Sequence, residues 1–240
     1  MKKSKLKLST THIILFSFLI AVLLGAVLLS LPISSATGEW TPFVDALFTS
    51  TTATCVTGLV VVPTFSAWST FGHIVILFLI QIGGLGVITV VSLLAMMFHK
   101  KMGLSDRLLL QDAFNLNTLS GLSRFVKKVV LGTFLVEGIG ALLYMTVFVP
   151  EFGLKGIWIS VFTAISAFCN AGIDIIAPDS LAGYVHNPII NLTTCLLIFF
   201  SGIGYIVWWD VIRVLKLRKK RKIKVLKALT LHSKIALAST

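Results

Sequence analysis

Four long apolar stretches divide the chain, at residues 11–31, 70–98, 125–149 and 188–212. Each supplies the roughly 20 consecutive apolar residues that a helix needs to cross the hydrocarbon core of a bilayer. The first follows MKKSKLK and so also has the outline of a secretory signal. A signal core runs only about 7 to 15 residues, whereas this stretch is longer and three more follow it. The pattern therefore predicts an all-α integral membrane protein with four spanning helices.

Two of the connections between these stretches are too apolar for ordinary loops. Between the first and second lies LFTSTTATCVTGLVVV, at residues 47–62. Thr41 as N-cap, Pro42 at the first helical position and Asp45 near the positive end of the dipole predict a helix start just before it. A helix from there to about Thr54 covers roughly 21 Å, less than the roughly 30 Å hydrocarbon core, so it ends inside the membrane. Gly58 then allows a turn, and the β-branched residues and Pro63 favour an extended return. Extended backbone at that depth survives only when buried in protein or lining an aqueous cavity. The segment is predicted to re-enter the membrane as a pore loop with carbonyls free to meet ions.

The same arrangement recurs between the third and fourth stretches. Laying ALFTSTTATCVTGL (46–59) over SVFTAISAFCNAGI (160–173) matches Phe48 with Phe162, Thr49 with Thr163, Ala53 with Ala167, Cys55 with Cys169 and Gly58 with Gly172, all at an offset of 114. The next helices correspond as well: LIQIGGLGVI (79–88) lies over LIFFSGIGYI (197–206), pairing Gly84 with Gly202 and Gly86 with Gly204. The chain thus divides into a first span, pore-loop, span repeat at 1–98, a connector at 99–123, a second repeat at 124–215 and a basic segment at 216–240. Repeats of one orientation can surround an axis along the membrane normal.

Charge sets the orientation. Twenty of the 21 Lys and Arg residues lie before the first stretch, between the second and third (counting Lys127 and Lys128 at the very start of the third), or after the fourth, leaving Lys155 on the other side. The positive-inside rule makes the basic side cytoplasmic, N-terminus included. The outer side carries Glu39, Asp45, Glu151, Asp174 and Asp179, which, with the negative end of each half-helix, favours cations. Composition agrees with lipid surroundings, at 56% hydrophobic, 12% charged and a mean hydropathy of +0.97. The net charge of +12 follows from topology and anionic headgroups rather than from nucleic acid, for which no recognition motif is present. Cys55, Cys169 and Cys195 have no metal-binding spacing and are expected to pack as small apolar side chains. No nucleophile with its base, and no acidic or His cluster, shares one membrane depth, so the chain is not expected to be an enzyme.

TATCVTGL, QIGGLGVIT, SAFCNAGID and SGIGY, in this order and spacing, resemble the filter loops and second helices of the Trk/Ktr/HKT superfamily of potassium transporters. The direct start of the first repeat is similar to the Ktr type. The resemblance implies potassium uptake across a bacterial plasma membrane through a carbonyl-lined filter, with sodium aiding uptake, no covalent cofactor, and potassium held by backbone carbonyls only. It implies filter positions at Cys55, Val56, Thr57, Gly58 and Leu59 and at Cys169, Asn170, Ala171, Gly172 and Ile173. It further implies four repeats in one chain, a homodimer and a cytosolic ring of nucleotide-binding regulatory subunits. Only two repeats fall within these residues, and LHSKIALAST stands where a third is expected to begin. Two pore loops cannot close a ring around an ion, whereas four can. The competing reading is a permease, receptor or enzyme that binds a small ligand at the re-entrant loops.

Three further features carry weaker signals. Gly83, Gly84 and Gly86 lack dinucleotide-motif spacing and are expected to serve close helix packing. Glu137, near the middle of the third stretch, is either a hydrogen-bonded structural acid or a bias on the permeation path. Residues 103–123 suggest an amphipathic helix on the lipid surface or against a regulatory subunit.

Overall fold

The computed structural model of the chain describes residues 10–86, 89–90, 122–221 and 228–239. Among these residues the regular structure is helical, with one isolated antiparallel bridge between Ser35 and Trp68 and no β-strand. The N-terminal lysines, the connector helix expected within 103–123 and much of the basic run before residue 228 lie outside the described residues.

Helix α1 (Thr10–Ser30) leads through a 3-10 turn (Pro32–Ser34) to α2 (Phe43–Cys55), the short α3 (Thr64–Ala67) and α4 (Thr70–Leu85). The second half follows as α5 (Leu122–Phe152), α6 (Lys155–Phe168), α7 (Pro188–Ile203), α8 (Tyr205–Arg221) and α9 (Leu231–Ser239). In the first half α1, α2 and α4 pack on one another, and α5, α6 and α7 do so in the second. The halves meet where α4 packs against α6. Ile76 and Ile80 of α4 and Phe162 and Phe168 of α6 are buried in one common core, and His73 of α4 meets Phe162 of α6 edge-on at 6.2 Å between ring centres.

The sequence explains the division between inside and outside. Leu15, Leu19, Ile20, Leu24 and Val27 on α1 and Leu131, Leu135 and Leu142 on α5 are exposed, which suits contact with lipid and would be costly in water. Two of the described helices, α1 and α5, are long and apolar enough to cross a membrane, and α7 with α8 makes a third if the bent pair counts as one span. Helices α2 and α6, at 13 and 14 residues, are too short to cross. Both are instead enclosed by protein: Ala46, Thr49, Ser50, Thr52, Ala53 and Thr54 are buried on α2, and nine residues from Gly156 to Phe168 are buried on α6.

Three details differ from the sequence reading. The start of α2 places Pro42, not Thr41, at the N-cap position, with no side-chain cap. Thr41 instead donates its N–H to the Ser30 carbonyl at 3.2 Å, and Pro42, lacking an N–H, adds no orphan donor at the helix start. Asp45 does sit in the first turn. The second helices are not continuous: α4 stops before Gly86 and α7 before Gly204, at φ of +80° and +88°. Left-handed backbone cannot propagate a right-handed helix, so α8 leaves α7 at 90°. Gly86 therefore ends a helix rather than packing against one, whereas Gly83 and Gly84 do lie in close contacts. After the bend, Asp210 accepts hydrogen bonds from the Thr230 N–H and hydroxyl, both at 2.9 Å, and from Ser233 Oγ at 2.7 Å, tying the start of α9 to α8. Arg213 pairs with the other carboxylate oxygen at 2.6 Å.

Candidate functional site

The two short helices end in loops with one backbone design. Val56 and Gly58 have φ of +56° and +75°, and Asn170 and Gly172, each 114 positions later, have +59° and +66°. Left-handed φ is unfavourable for a β-branched residue such as Val56. Strain of this kind, over-determined by its surroundings, gathers at functional sites.

A hydroxyl at the same place in each helix fixes each loop. The Thr57 N–H donates to the Thr52 carbonyl at 3.0 Å and the Leu59 N–H to Thr52 Oγ1 at 2.9 Å. In the second loop the Ala171 N–H donates to the Ser166 carbonyl at 2.8 Å and the Ile173 N–H to Ser166 Oγ at 3.0 Å. Thr52 Oγ1 also meets Thr57 Oγ1 at 2.7 Å, and Ser166 Oγ donates to the Ile173 carbonyl at 2.5 Å. A planar trans peptide points its C=O opposite to its N–H. Because the N–H groups of residues 57, 59, 171 and 173 face back to the helix ends, the carbonyls of Val56, Gly58, Asn170 and Gly172 face away from them. Neither Thr52 nor Ser166 stood out in the sequence, because the repeat was found by identities and these two differ. Comparing hydroxyl with hydroxyl at the constant offset would have exposed them.

The loops also touch. A Cβ added to Gly58 would lie 2.6 Å from the Ala171 carbonyl oxygen, and one added to Gly172 would lie 3.9 Å from the Gly58 Cα. Glycine at 58 is thus required twice over, by φ and by the neighbouring backbone. The ten filter positions named from the sequence fall on these two loops, with different surroundings. Cys55 ends α2 and is exposed, Val56 is partly buried, and Leu59 points outward. Cys169, Ala171 and Ile173 are buried, and the Asn170 side chain donates to Ser201 Oγ on α7 at 2.8 Å. The second loop is the more enclosed of the two.

Glycines on α4 let the loops approach. A Cβ on Gly83 would strike the Thr54 carbonyl and one on Gly84 would strike the Cys169 sulfur. Behind the second loop lies a cavity of about 220 Å³ lined by Thr163, Ser166, Asn170, Asp174, Ser180 and Thr194 among others. Thr163 Oγ1 is buried there without a protein partner, and the space is ample for the ordered water such a group requires. Asp174 at the outer end is held by the Ile176 N–H at 3.2 Å and by Ser180 Oγ at 2.5 Å.

Glu137 of α5 is buried at 4% exposure. Its carboxylate oxygens accept from Gln81 Nε2 of α4 at 3.1 and 3.4 Å, and the Cys169 thiol lies 4.0 Å away. Of the two roles open to Glu137 in the sequence, the geometry is that of a hydrogen-bonded structural acid. Among the described residues no three His, Cys, Asp or Glu side chains converge as metal ligands. Between the loops the Ala171 carbonyl faces Gly58, and the carbonyls of Val56, Gly58, Asn170 and Gly172 turn away from the helix ends.

Comparison with known proteins gives three informative relatives and a family. Residues 2–240 match the TrkH family, described as cation transport protein. The chain is 40% identical over 240 residues to the potassium/sodium uptake protein NtpJ of Enterococcus hirae, covering 100% of the chain and 51% of that protein. It is 41% identical over 230 residues to the Ktr system potassium uptake protein B of Bacillus subtilis, covering 95% and 49%. The Vibrio alginolyticus protein of the same name is 38% identical over 240 residues, covering 100% and 50%. The chain spans about half the length of these relatives.

Proposed function

Because the chain belongs to the TrkH family of cation transport proteins, we propose that it forms part of a potassium uptake pathway and supplies two quarters of the ion filter. The observation that carries this reading is the pair of contacting loops with equivalent backbone, Val56–Gly58 and Asn170–Gly172, whose N–H groups are consumed by the helix ends. Carbonyl oxygens released in this way can replace the hydration shell of a weakly hydrated monovalent cation while still letting it leave.

In this reading α1, α4, α5 and the α7–α8 pair are the spans, α2 and α6 are pore helices, and residues 1–98 and 124–215 are the two repeats. A closed filter takes four loops, so two more must come from further repeats or from a second chain. The basic side faces the cytoplasm of a bacterial cell. Potassium is the cargo, and sodium either accompanies it or competes, in keeping with the potassium/sodium name of the E. hirae relative. Assembly as a homodimer on a cytosolic nucleotide-binding ring follows the resemblance to the Ktr type, and the word system in two relatives' names suits a translocating subunit with a partner. A small-ligand receptor or enzyme at the loops has no observation in its favour.

The test is rubidium and sodium uptake by the complete gene product in bacteria stripped of their own potassium uptake. Rubidium entry that potassium inhibits is the expected result. A membrane-inserted protein that moves neither ion would refute the proposal.

A further inference from the structure

The seam between the two repeats contains a polar cluster that the filter itself does not use. Glu137 comes from the second repeat and Gln81 from the first, and their hydrogen bonds at 3.1 and 3.4 Å join α5 to α4. The Cys169 thiol, 4.0 Å from Glu137, belongs to the residue immediately before the left-handed Asn170. On the other side Cys169 presses on Gly84, where an added Cβ would collide with its sulfur. The Gly84 carbonyl in turn accepts from Tyr205 Oη at 3.5 Å, and Tyr205 Oη accepts from Thr133 Oγ1 on α5 at 3.4 Å. Helices α4, α5, the end of α6 and the start of α8 are thus joined at one point directly behind the second filter loop.

This cluster does not belong to the repeat. Helix α1 carries no acidic residue, and the position matching Gln81 in the second repeat, 118 residues on, is Phe199. A fold that needed only apolar packing at this depth would be better served by leucine, since a buried carboxylate in a span is expensive. Among the described residues no basic side chain pairs with it. What an acid and an amide add is register, because the Gln81 Nε2 hydrogen bonds to Glu137 form at one relative position of the two helices; at any other the carboxylate loses its donors and joins Gln81 Oε1, which is already buried without a partner.

The register they fix is that of the filter. Cys169 lies 4.0 Å from Glu137, the Ala171 carbonyl stands two residues further on, and that carbonyl faces Gly58 across the gap between the loops. We infer that Glu137, through Gln81 and Cys169, is a positioning residue for the ion filter that sets the spacing of the two loops and with it the preference among monovalent cations. It touches no ion. The inference rests on reading the loops as a filter.

The experiment separates that reading from the inference. Glu137→Gln keeps an amide–amide hydrogen bond of the same length, Glu137→Leu removes it, and Gln81→Leu removes it from the other side should Glu137→Leu not fold. In the complete gene product, the ratio of rubidium to sodium uptake at matched abundance is expected to stay within about twofold of wild type for Glu137→Gln and to fall about tenfold for either leucine variant. With every other cysteine of the complete gene product, Cys55 and Cys195 included, replaced by serine, Cys169 is expected to resist a small maleimide with Glu137 in place and in Glu137→Gln, and to react in the leucine variants. Folded leucine variants with an unchanged uptake ratio and a protected Cys169 overturn the inference. So does a Glu137→Gln protein that loses discrimination while Cys169 stays protected, since the carboxylate charge would then act on the ion. Absence of any rubidium uptake in wild type sinks the filter reading alone, and thiol labelling still decides whether the seam is held as described.

Discussion

Alanine at Gly58 and alanine at Gly172 should not be equivalent, although the two positions match in the repeat. Both residues adopt left-handed φ, +75° and +66°, and a Cβ in that conformation costs roughly 1–2 kcal/mol. At Gly172 that is nearly all, because the nearest atom to the new carbon would be the Gly58 Cα at 3.9 Å, an ordinary contact. At Gly58 the new carbon would sit 2.6 Å from the Ala171 carbonyl oxygen. Backbone held by the Ser166 carbonyl cannot swing aside as a side chain would, so overpacking adds about 1–3 kcal/mol. Gly58→Ala is then destabilising by about 2–5 kcal/mol and Gly172→Ala by about 1–2 kcal/mol. Thermal unfolding of the purified 240-residue chain in detergent reads the difference directly. Rubidium and sodium uptake by the complete gene product reads its effect on ions, with the Gly58 variant expected to lose more discrimination. Equal melting temperatures for the two variants, or a lower one for Gly172→Ala, would show that the loops do not abut as described.

Two further outcomes follow from named hydrogen bonds. Ser166→Ala strands the Ile173 N–H and carbonyl that Ser166 Oγ now serves at 3.0 and 2.5 Å; a loss of about 1–3 kcal/mol in unfolding free energy is expected, and Ser166→Thr should restore most of it, since the Thr52 hydroxyl accepts the equivalent N–H bond from Leu59. In the loop before α7, Tyr184 Oη donates to Glu151 at 2.6 Å, and burial together with that carboxylate holds the Tyr184 phenol proton above its ordinary pKa of 10.0. A raised folded-state value means that the contribution is complete below the unfolded pKa and fades as pH rises through the folded one. The stability gap between wild type and Tyr184→Phe should therefore be flat up to about pH 10 and close only above it; a gap that closes as pH rises through neutrality would contradict the assignment.

Apolar run lengths carried the helical class of the chain, and the boundaries of α1 and α2 and the start of α7 lie close to the predicted ones because lipid-facing leucines and short amphipathic helices leave strong one-dimensional marks. The breaks at Gly86 and Gly204 were less visible. Both glycines stand inside uninterrupted apolar sequence, and nothing local distinguishes a glycine that admits a neighbouring helix, as Gly84 does, from one that ends its own. The distinction is made by φ, which three-dimensional packing decides. The loops were legible through Cys55, Gly58 and their counterparts, whereas their anchors Thr52 and Ser166 were not, because hydroxyls on apolar helices usually bond back to their own helix. Thr51 and Thr54 do so here, to the carbonyls of Leu47 and Ser50 at 2.7 and 2.8 Å.

The partners of Glu137 were the least legible feature, and the reason concerns how repeats assemble. A motif search reads each repeat against the other and so finds what they share: the pore helix, the left-handed turn and the glycine that ends the second helix. The seam joins α4 of the first repeat to α6 of the second, so its partners are not found within one unit. Gln81 and Glu137 are 56 residues apart, and each looks like a stray polar residue in its own span. Their meaning lies in the pairing. If filter geometry depends on how neighbouring repeats register, residues that break the repeat symmetry carry information that the shared motifs cannot. Exchanging Gln81 and Phe199, the matching positions of α4 and α7, would then disturb ion discrimination more than a comparable exchange on the lipid-facing side of the same helices.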